Sequence, residues 1–133
     1  MKYKMLIEKA IKQLEFSYSP YSEFSVGAAL LCRDGSVYTG CNVENASYPA
    51  GNCAERTAVF NAVSSGKRDF EAIAIVGGKN GQITDYCSPC GICRQVLREF
   101  CKDGFKIILF DGKEEKIFTL SDLLPYGFTV KEL

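Results

Sequence analysis

Three cysteines in two short segments constrain this chain more than any other feature. Cys53 begins a Cys-Ala-Glu segment, and Cys90 and Cys93 follow a proline in a Pro-Cys-Gly-Ile-Cys segment. Structural zinc sites are closed by four protein ligands, whereas catalytic zinc keeps three and leaves a fourth position for water. Three thiolates with no obvious fourth ligand therefore favour a zinc centre with one open position.

The residues around Cys53 have the pattern of a helix start. Asn52 is a good N-cap, and Glu55 stands three residues after it, as in a capping box. We therefore predict a helix that begins at Cys53 and continues to about residue 65. Glu55 would then lie in the first turn of this helix, beside the metal.

The second cysteine segment predicts another helix start. Ser88 is a good N-cap and Pro89 fits the first helical position, so we expect a helix from Pro89 to about residue 101. Cys90 and Cys93 would lie on one face of its first turn. The partial positive charge of two helix N-termini favours thiolate over thiol and offsets the negative charge of three sulfurs on zinc.

Two arginines and the absence of histidine complete the chemistry of the site. Arg56 follows Glu55 directly and Arg94 follows Cys93 directly, and we predict that both donate hydrogen bonds to the sulfurs. The chain contains 0 histidines, so the commonest general base and the commonest zinc ligand are both missing. Glu55 is the carboxylate best placed to carry a proton.

Simpler interpretations of the same residues exist. Glu55 could be only a capping carboxylate, and Cys-x-x-Cys could be a redox pair or half of a structural zinc site. Cys87 with Cys90 and Cys93 also has the spacing that begins a bacterial iron-sulfur motif, but the cysteine and proline that continue this motif are missing. Capping does not explain three cysteines, and redox chemistry does not explain Glu55. A non-enzymatic zinc domain, closed by Cys87 as fourth ligand, stays an alternative.

Four longer segments resemble the small, homotetrameric zinc cytidine deaminases: residues 24–29, 40–48, 53–56 and 88–95. The resemblance implies hydrolytic deamination of cytidine and 2′-deoxycytidine to uridine and 2′-deoxyuridine, a step of pyrimidine salvage. It implies one Zn²⁺ per subunit on Cys53, Cys90 and Cys93, with Glu55 as the proton shuttle and no organic cofactor. Cysteine replaces the histidine that is common as first ligand in the wider group.

The same resemblance implies which residues bind the substrate. Asn42 and Glu44 would contact the ribose, with Glu44 accepting from the 3′-hydroxyl, while Phe24 would lie against the ring and Ala54 would line the pocket. We expect a buried Glu44, which suits a neutral hydroxyl and repels a phosphate, so the substrate should be a nucleoside. Relatives that act on the antibiotic blasticidin S lack the sugar signature at residues 42–45, which this chain has.

Other residues are expected to act across subunits. In the resembled tetramers the sites are shared, which implies that Ala46 and Tyr48 serve a neighbouring subunit's site. The aromatic residues Tyr126 and Phe128 stand close to the chain end. The resemblance implies that Phe128 reaches a neighbour's pyrimidine, whereas a simpler interpretation is that it covers a sheet edge of its own domain.

Composition excludes several other classes of function. The chain has 16 basic and 16 acidic residues and no clear basic surface, so we expect no nucleic-acid partner. No apolar run approaches the roughly 20 residues of a membrane span. Residues 1–16 predict an amphipathic helix and not a secretory signal. With 7 cysteines, the chain is expected to be cytoplasmic and reduced.

Hydrophobic periodicity predicts the fold. We expect one domain over residues 1–133 in an α/β, three-layer, cytidine deaminase-like fold, with a central mixed sheet of about five strands and helices on both faces. Both cysteine helices should begin at the same sheet edge. The predicted strands cover residues 26–32, 37–41, 72–76, 106–110 and 116–118, and a turn of helix follows residue 121.

Overall fold

In a computed structural model, which describes residues 2–133, helices and strands are interspersed along the chain. Residue 1, where the predicted first helix starts, lies outside the described residues. The helices are α1 (Lys4–Gln13), α2 (Ala54–Ser64), α3 (Gly91–Phe100) and the short α4 (Leu120–Leu123), and the strands are β1 (Phe24–Cys32), β2 (Val37–Cys41), β3 (Phe70–Lys79), β4 (Lys106–Phe110) and β5 (Glu115–Thr119).

The strands form a mixed five-stranded sheet in the order β2-β1-β3-β4-β5. β1 runs antiparallel to both β2 and β3, and β5 runs antiparallel to β4. β3 and β4 are parallel, so the chain must cross over between them, and α3 lies in that crossover. The predicted mixed sheet with helices on both faces is confirmed.

The two faces of the sheet bury separate cores, because side chains alternate along each strand. α1 covers one face, where Ile7 and Ala10 pack with Ala74 and Val76. α2 and α3 cover the other face, where Ala58 and Leu97 join residues such as Ile73 and Ile75. The middle strand β3 contributes to both cores, which explains its continuous run of buried residues.

α2 lies very close to β2 because Gly40 has no side chain. A Cβ at this position would lie 2.5 Å from the Ala58 amide nitrogen and 2.7 Å from the Ala54 carbonyl oxygen. The backbone of the helix therefore rests directly on the backbone of the strand. This contact fixes the height of α2 over the sheet, and with it the position of the residues at its N-terminus.

α2 begins one residue later than predicted, and the predicted capping box is wrong. Cys53 is itself the N-cap, with extended backbone angles of φ −77° and ψ 155°. The Asn52 side chain does not cap the helix and instead donates from Nδ2 to Thr57 Oγ1 at 3.1 Å. Cys53 Sγ consequently projects from the N-terminal end of the helix and not from its side.

α3 also begins later than predicted, at Gly91 and not at Pro89, because a cysteine is again the N-cap. Cys90 is the N-cap, in an extended conformation, and its Sγ accepts a hydrogen bond from the Cys93 amide at 3.4 Å. Ser88 and Pro89 precede the helix, so the prediction that they provide its cap and first residue is wrong. The sulfur of a cysteine performs here the capping that usually falls to an oxygen of serine or asparagine.

The length and composition of the helices decide whether one of them could cross a membrane. Within residues 2–133, every helix falls short of the length and apolar character that crossing a bilayer requires.

Candidate metal centre and active site

The N-terminal ends of α2 and α3 bring three cysteine sulfurs together. The Sγ atoms of Cys53, Cys90 and Cys93 all lie within 4.8 Å of one another, and those of Cys53 and Cys90 are 3.8 Å apart. Two sulfurs bound to one tetrahedral zinc at about 2.3 Å are separated by about 3.8 Å. The spacing and the soft donor set therefore fit zinc.

The Cys53 sulfur is stabilised as a thiolate by nearby donors. Arg56 Nη2 donates to Cys53 Sγ at 3.2 Å. Hydrogen bonds from the Cys93 thiol and from Arg56 hold the pKa of Cys53 below its usual value. Arg56 Nε is buried and has no hydrogen-bond partner among the described residues. The guanidinium thus places positive charge where three thiolates on a divalent ion would leave a net negative charge.

Arg94 has a different role from the predicted one. Its three side-chain nitrogens donate to the Pro89 carbonyl at 2.7 Å, to the Leu123 carbonyl at 2.7 Å and to Ser88 Oγ at 2.9 Å. The prediction that Arg94 donates to a cysteine sulfur is therefore wrong. Because its planar fork joins the segment before α3 to the end of α4, it braces the loop that carries Cys90.

Glu55 is the buried carboxyl group of the site. It lies in the first turn of α2, two residues after Cys53, and its side chain is 5% exposed. Burial raises the pKa of Glu55 to about 7, with the nearby Cys53 charge acting in the same direction. A carboxyl group whose pKa lies near neutrality can both accept and donate a proton.

Cys87 lies beside the site but outside the three-sulfur cluster. Burial raises the pKa of its thiol to about 12. Its Sγ lies over Gly77, where an added Cβ would approach it to 2.9 Å, and Phe24 packs over the same glycine. Among the described residues, the cluster thus offers three sulfur ligands, which leaves no support for a zinc closed by Cys87.

A cleft of about 500 Å³ opens above these groups. Its walls contain eight residues that the sequence analysis assigned to the site: Asn42, Glu44, Tyr48, Cys53, Ala54, Glu55, Arg56 and Cys90. The N-terminal end of α2, where Ala54 is fully buried, and the segment after β2 both contribute to the lining. Sugar-binding and metal-binding candidates therefore face one cavity.

Asn42 and Glu44 are both held by hydrogen bonds within the chain. Asn42 Oδ1 accepts from Ser17 Oγ and from the Val26 amide at 2.9 Å, and its Nδ2 donates to the Phe24 carbonyl at 2.8 Å. The Glu44 carboxylate accepts from the segment just before β1. Glu44 is partly exposed, so the expectation of a buried carboxylate is wrong for the single chain.

Three other predicted substrate residues do not line the cleft of their own chain: Phe24, Ala46 and Phe128. Phe24 borders the site through Gly77 and Cys87 and is 40% exposed. Ala46 is exposed, and Phe128 lies against α3, where its carbonyl accepts from Gln95 Nε2 at 3.2 Å. The Phe128 ring is 53% exposed.

Among the cleft residues that sequence reasoning missed are Tyr21 and Ser22. Both bind Glu44, and the Tyr21 ring also meets the Tyr48 ring edge to face at 6.4 Å. They lie in an irregular segment without hydrophobic periodicity. Its Ser-Pro-Tyr-Ser composition indicates a turn, but a turn signal does not show which distant carboxylate the turn contacts.

Comparison with known proteins identifies the family. The sequence-family model for the cytidine and deoxycytidylate deaminase zinc-binding region matches residues 1–108 of this chain. A cytidine deaminase from Sporosarcina psychrophila is 46% identical over 134 residues, which cover 100% of this chain and 96% of the relative. One from Halalkalibacterium halodurans is 49% identical over 132 residues, covering 98% and 96%. The crystal structure of a cytidine deaminase from Burkholderia pseudomallei superposes with a TM-score of 0.87 at 46% identity, covering 96% of this chain and 100% of that one.

Proposed function

This chain belongs to the family of zinc-dependent cytidine and deoxycytidylate deaminases, and we propose that it hydrolyses cytidine and 2′-deoxycytidine to uridine and 2′-deoxyuridine, with release of ammonia. One observation carries this proposal. Cys53 and Cys90 of the three-sulfur cluster line the same cleft as the buried Glu55 carboxyl group. A structural zinc site has no need of a cleft or of a carboxyl group with a pKa near neutrality.

Cys53, Cys90 and Cys93 would hold the zinc. When bound, the metal would supply a water molecule of lowered pKa and a positive charge to stabilise developing negative charge. Arg56 donates a hydrogen bond to Cys53 Sγ, which favours the ionised form of that sulfur.

Glu55 would move the protons of the reaction. Its carboxylate would accept a proton from the attacking water and deliver it to the pyrimidine ring nitrogen next to the amine-bearing carbon. A second proton, taken from the hydroxyl group that the water has added to this carbon, would go to the exocyclic amine, and ammonia would leave as the carbon–nitrogen bond breaks. Since burial raises the pKa of Glu55 to about 7, the group exchanges protons readily in both directions at neutral pH.

The rest of the cleft supports a nucleoside as substrate. Of the residues that line it, Arg56 alone carries a positive charge, and it already donates to Cys53. Glu44 also lines the cleft, where Asn42 and Glu44 are the candidates for contacts with the ribose. A phosphate would meet a carboxylate there and no free cation, whereas a sugar hydroxyl can donate to Glu44.

We further propose a homotetramer with shared sites. Phe128, Ala46 and Phe24 lie outside the walls of the cleft of their own chain, and Tyr48 is 78% exposed at its rim. Aromatic side chains are enriched on surfaces that another chain covers. In the assembly, Phe128 of one chain would stack on the pyrimidine bound by its neighbour, and Ala46 and Tyr48 would also serve a neighbour's site.

A cytoplasmic location and a role in pyrimidine salvage complete the proposal. The 7 cysteines, three of which form the metal cluster, suit a reducing compartment. Conversion of a cytosine nucleoside to a uracil nucleoside is a salvage reaction.

Metal analysis combined with a spectrophotometric assay tests the proposal. The purified protein should contain one zinc per chain and should deaminate cytidine and 2′-deoxycytidine, whereas cytidine 5′-monophosphate and blasticidin S should react far more slowly. Zinc binding without turnover of any of these compounds would contradict the proposed enzyme and would support a structural zinc domain. Preferential turnover of blasticidin S or of the nucleotide would refute the substrate assignment.

A further inference from the structure

The turn before β1 holds the Glu44 carboxylate in place, and we infer that Ser22 is the positioning residue through which this turn sets recognition of the sugar 3′-hydroxyl. The inference rests on the proposed function, since it concerns the same cleft. It adds a residue to which neither the sequence pattern nor the family comparison assigns a role.

The two oxygens of Glu44 are held by different donors. Oε1 accepts from the Tyr21 amide at 3.0 Å and from the Ser22 amide at 3.1 Å. Oε2 accepts from the Ser22 hydroxyl. Without this hydroxyl, the carboxylate would be anchored at one oxygen and free to turn about it. The hydroxyl therefore fixes the direction in which the remaining lone pair of Oε2 points.

The direction of the Ser22 hydroxyl is itself fixed. Ser22 Oγ accepts a hydrogen bond from the Phe24 amide at 3.0 Å, so its own proton is available for Glu44. This arrangement depends on the unusual backbone of Glu23, which has φ 59° although it is not glycine. The Glu23 amide donates to the Ser19 carbonyl at 3.0 Å, and its carbonyl accepts from the Asn80 amide at 2.7 Å. Strained backbone of this kind persists where surrounding contacts hold it, often at functional sites.

The number of accepting positions left on the Glu44 carboxylate determines how many donors of the substrate it can bind. An ionised carboxylate has about four positions that accept hydrogen bonds. The turn occupies three of them, and its donors also hold the pKa of Glu44 below its usual value, so the group stays charged. One accepting position is left, which suits a single donor such as the 3′-hydroxyl. Ser22 thus acts on sugar binding and not on the chemical step.

Two nucleosides that differ only in the 3′-hydroxyl provide the test: 2′-deoxycytidine and 2′,3′-dideoxycytidine. In Ser22→Ala we expect KM for 2′-deoxycytidine to rise roughly 2- to 10-fold, the value of one hydrogen bond, with kcat little changed. KM for the dideoxy compound should stay near the wild-type value. Ser22→Thr keeps a hydroxyl and should restore the wild-type preference.

Ser36→Ala is a matched control. Ser36 Oγ also donates to a carboxylate, that of Asp34 at 2.5 Å, but in the exposed turn between β1 and β2. Its kinetics should equal those of the wild type. If Ser22→Ala leaves both KM values unchanged, or raises both equally, the inference is overturned.

A titration of the Glu44 carboxyl group by NMR keeps the inference separate from the proposed function. In Ser22→Ala the pKa of Glu44 should rise toward its usual value, because a donor to the charged form is lost. If the wild type deaminates neither nucleoside, the proposed function fails, and the titration alone then decides about Ser22. An unchanged Glu44 pKa in that case refutes the positioning role.

Discussion

Replacing Gly40 by alanine should displace α2 from the sheet and disturb the cleft from a distance. The new Cβ would lie 2.5 Å from the Ala58 amide nitrogen, 2.7 Å from the Ala54 carbonyl oxygen and 2.8 Å from Thr57 Cβ. Two of these three atoms belong to the helix backbone, so no change of rotamer relieves the contact. Reaching an ordinary contact distance of 3.4 Å from 2.5 Å requires a retreat of about 0.9 Å.

The free energy of unfolding and kcat/KM should both fall in Gly40→Ala. Overpacking of this kind costs about 1–3 kcal/mol in the free energy of unfolding. A displacement of about 1 Å in groups that position the reaction costs up to about 10²-fold in rate. Because Cys53 and Glu55 move with α2, we expect kcat/KM for cytidine to fall by about 10- to 100-fold.

The assay combines steady-state kinetics on cytidine with urea unfolding at a fixed protein concentration. Gly104→Ala is the matched control, since a Cβ there meets nothing within 4 Å and its backbone is not left-handed. This variant should keep the wild-type activity and stability. If Gly40→Ala behaved like Gly104→Ala in both measurements, the argument that the strand backbone sets the position of α2 would be refuted.

Other changes should separate the roles of the remaining residues. Cys87→Ser should keep zinc and activity because Cys87 lies outside the three-sulfur cluster, whereas Cys90→Ser should lose zinc, and metal analysis of each protein checks both. Leu97→Ala, in a fully buried position, should lower the free energy of unfolding by about 2–5 kcal/mol, measured with urea. Phe128→Ala should raise KM for cytidine, because stacking on a base is worth roughly 1–3 kcal/mol, and should leave the zinc content unchanged. Assemblies mixed from Phe128→Ala and Glu55→Gln chains should be more active than the average of the two variants, because some sites would combine an intact residue from each.

Each of these predictions can be contradicted by a defined result. Release of zinc from Cys87→Ser would support the structural-zinc interpretation. Wild-type stability of Leu97→Ala would mean that the core around α3 relaxes fully. Mixed assemblies that only reproduce the average, after subunit exchange has been verified, would mean that Phe128 acts within its own chain or not at all.

The sheet could be predicted from the sequence because its strands carry strong local signals. The buried run in β3 and the apolar runs in β1 and β4 have few alternatives in an α/β chain, and the predicted strand at 37–41 matches β2 residue for residue. The strand order could not be predicted, since it depends on contacts between distant segments. β3 pairs with β1 on one side and with β4 on the other, and neither pairing has a local signature.

The site was predictable in its chemistry but less so in its geometry. The three cysteines and Glu55 follow from residue type and spacing, and the structure brings them together. The helix starts were misjudged because general capping preferences favour Asn52 and Ser88 over cysteine. The partners of Arg94 were misjudged because a long side chain next to a cysteine in sequence can still reach away from it.

The roles of Phe128 and Ala46 depend on a second copy of the chain. No periodicity within one sequence specifies which surfaces of two copies will meet, so the roles of these two residues stay predictions. The contact between Ser22 and Glu44 is also invisible to pattern, since it joins two irregular segments 22 residues apart.

The most direct test of the account is Glu55→Gln, with zinc content and cytidine turnover measured on the same sample. Glutamine keeps the size of the side chain and removes its ability to carry a proton. The account predicts one zinc per chain and a kcat lower by about 10²- to 10⁴-fold, the usual contribution of general acid–base catalysis. Glu99→Gln, an exposed change on α3, serves as control and should match the wild type. Loss of zinc in proportion to activity would contradict the account, because Glu55 would then be holding the metal, and near-normal turnover would contradict it as well.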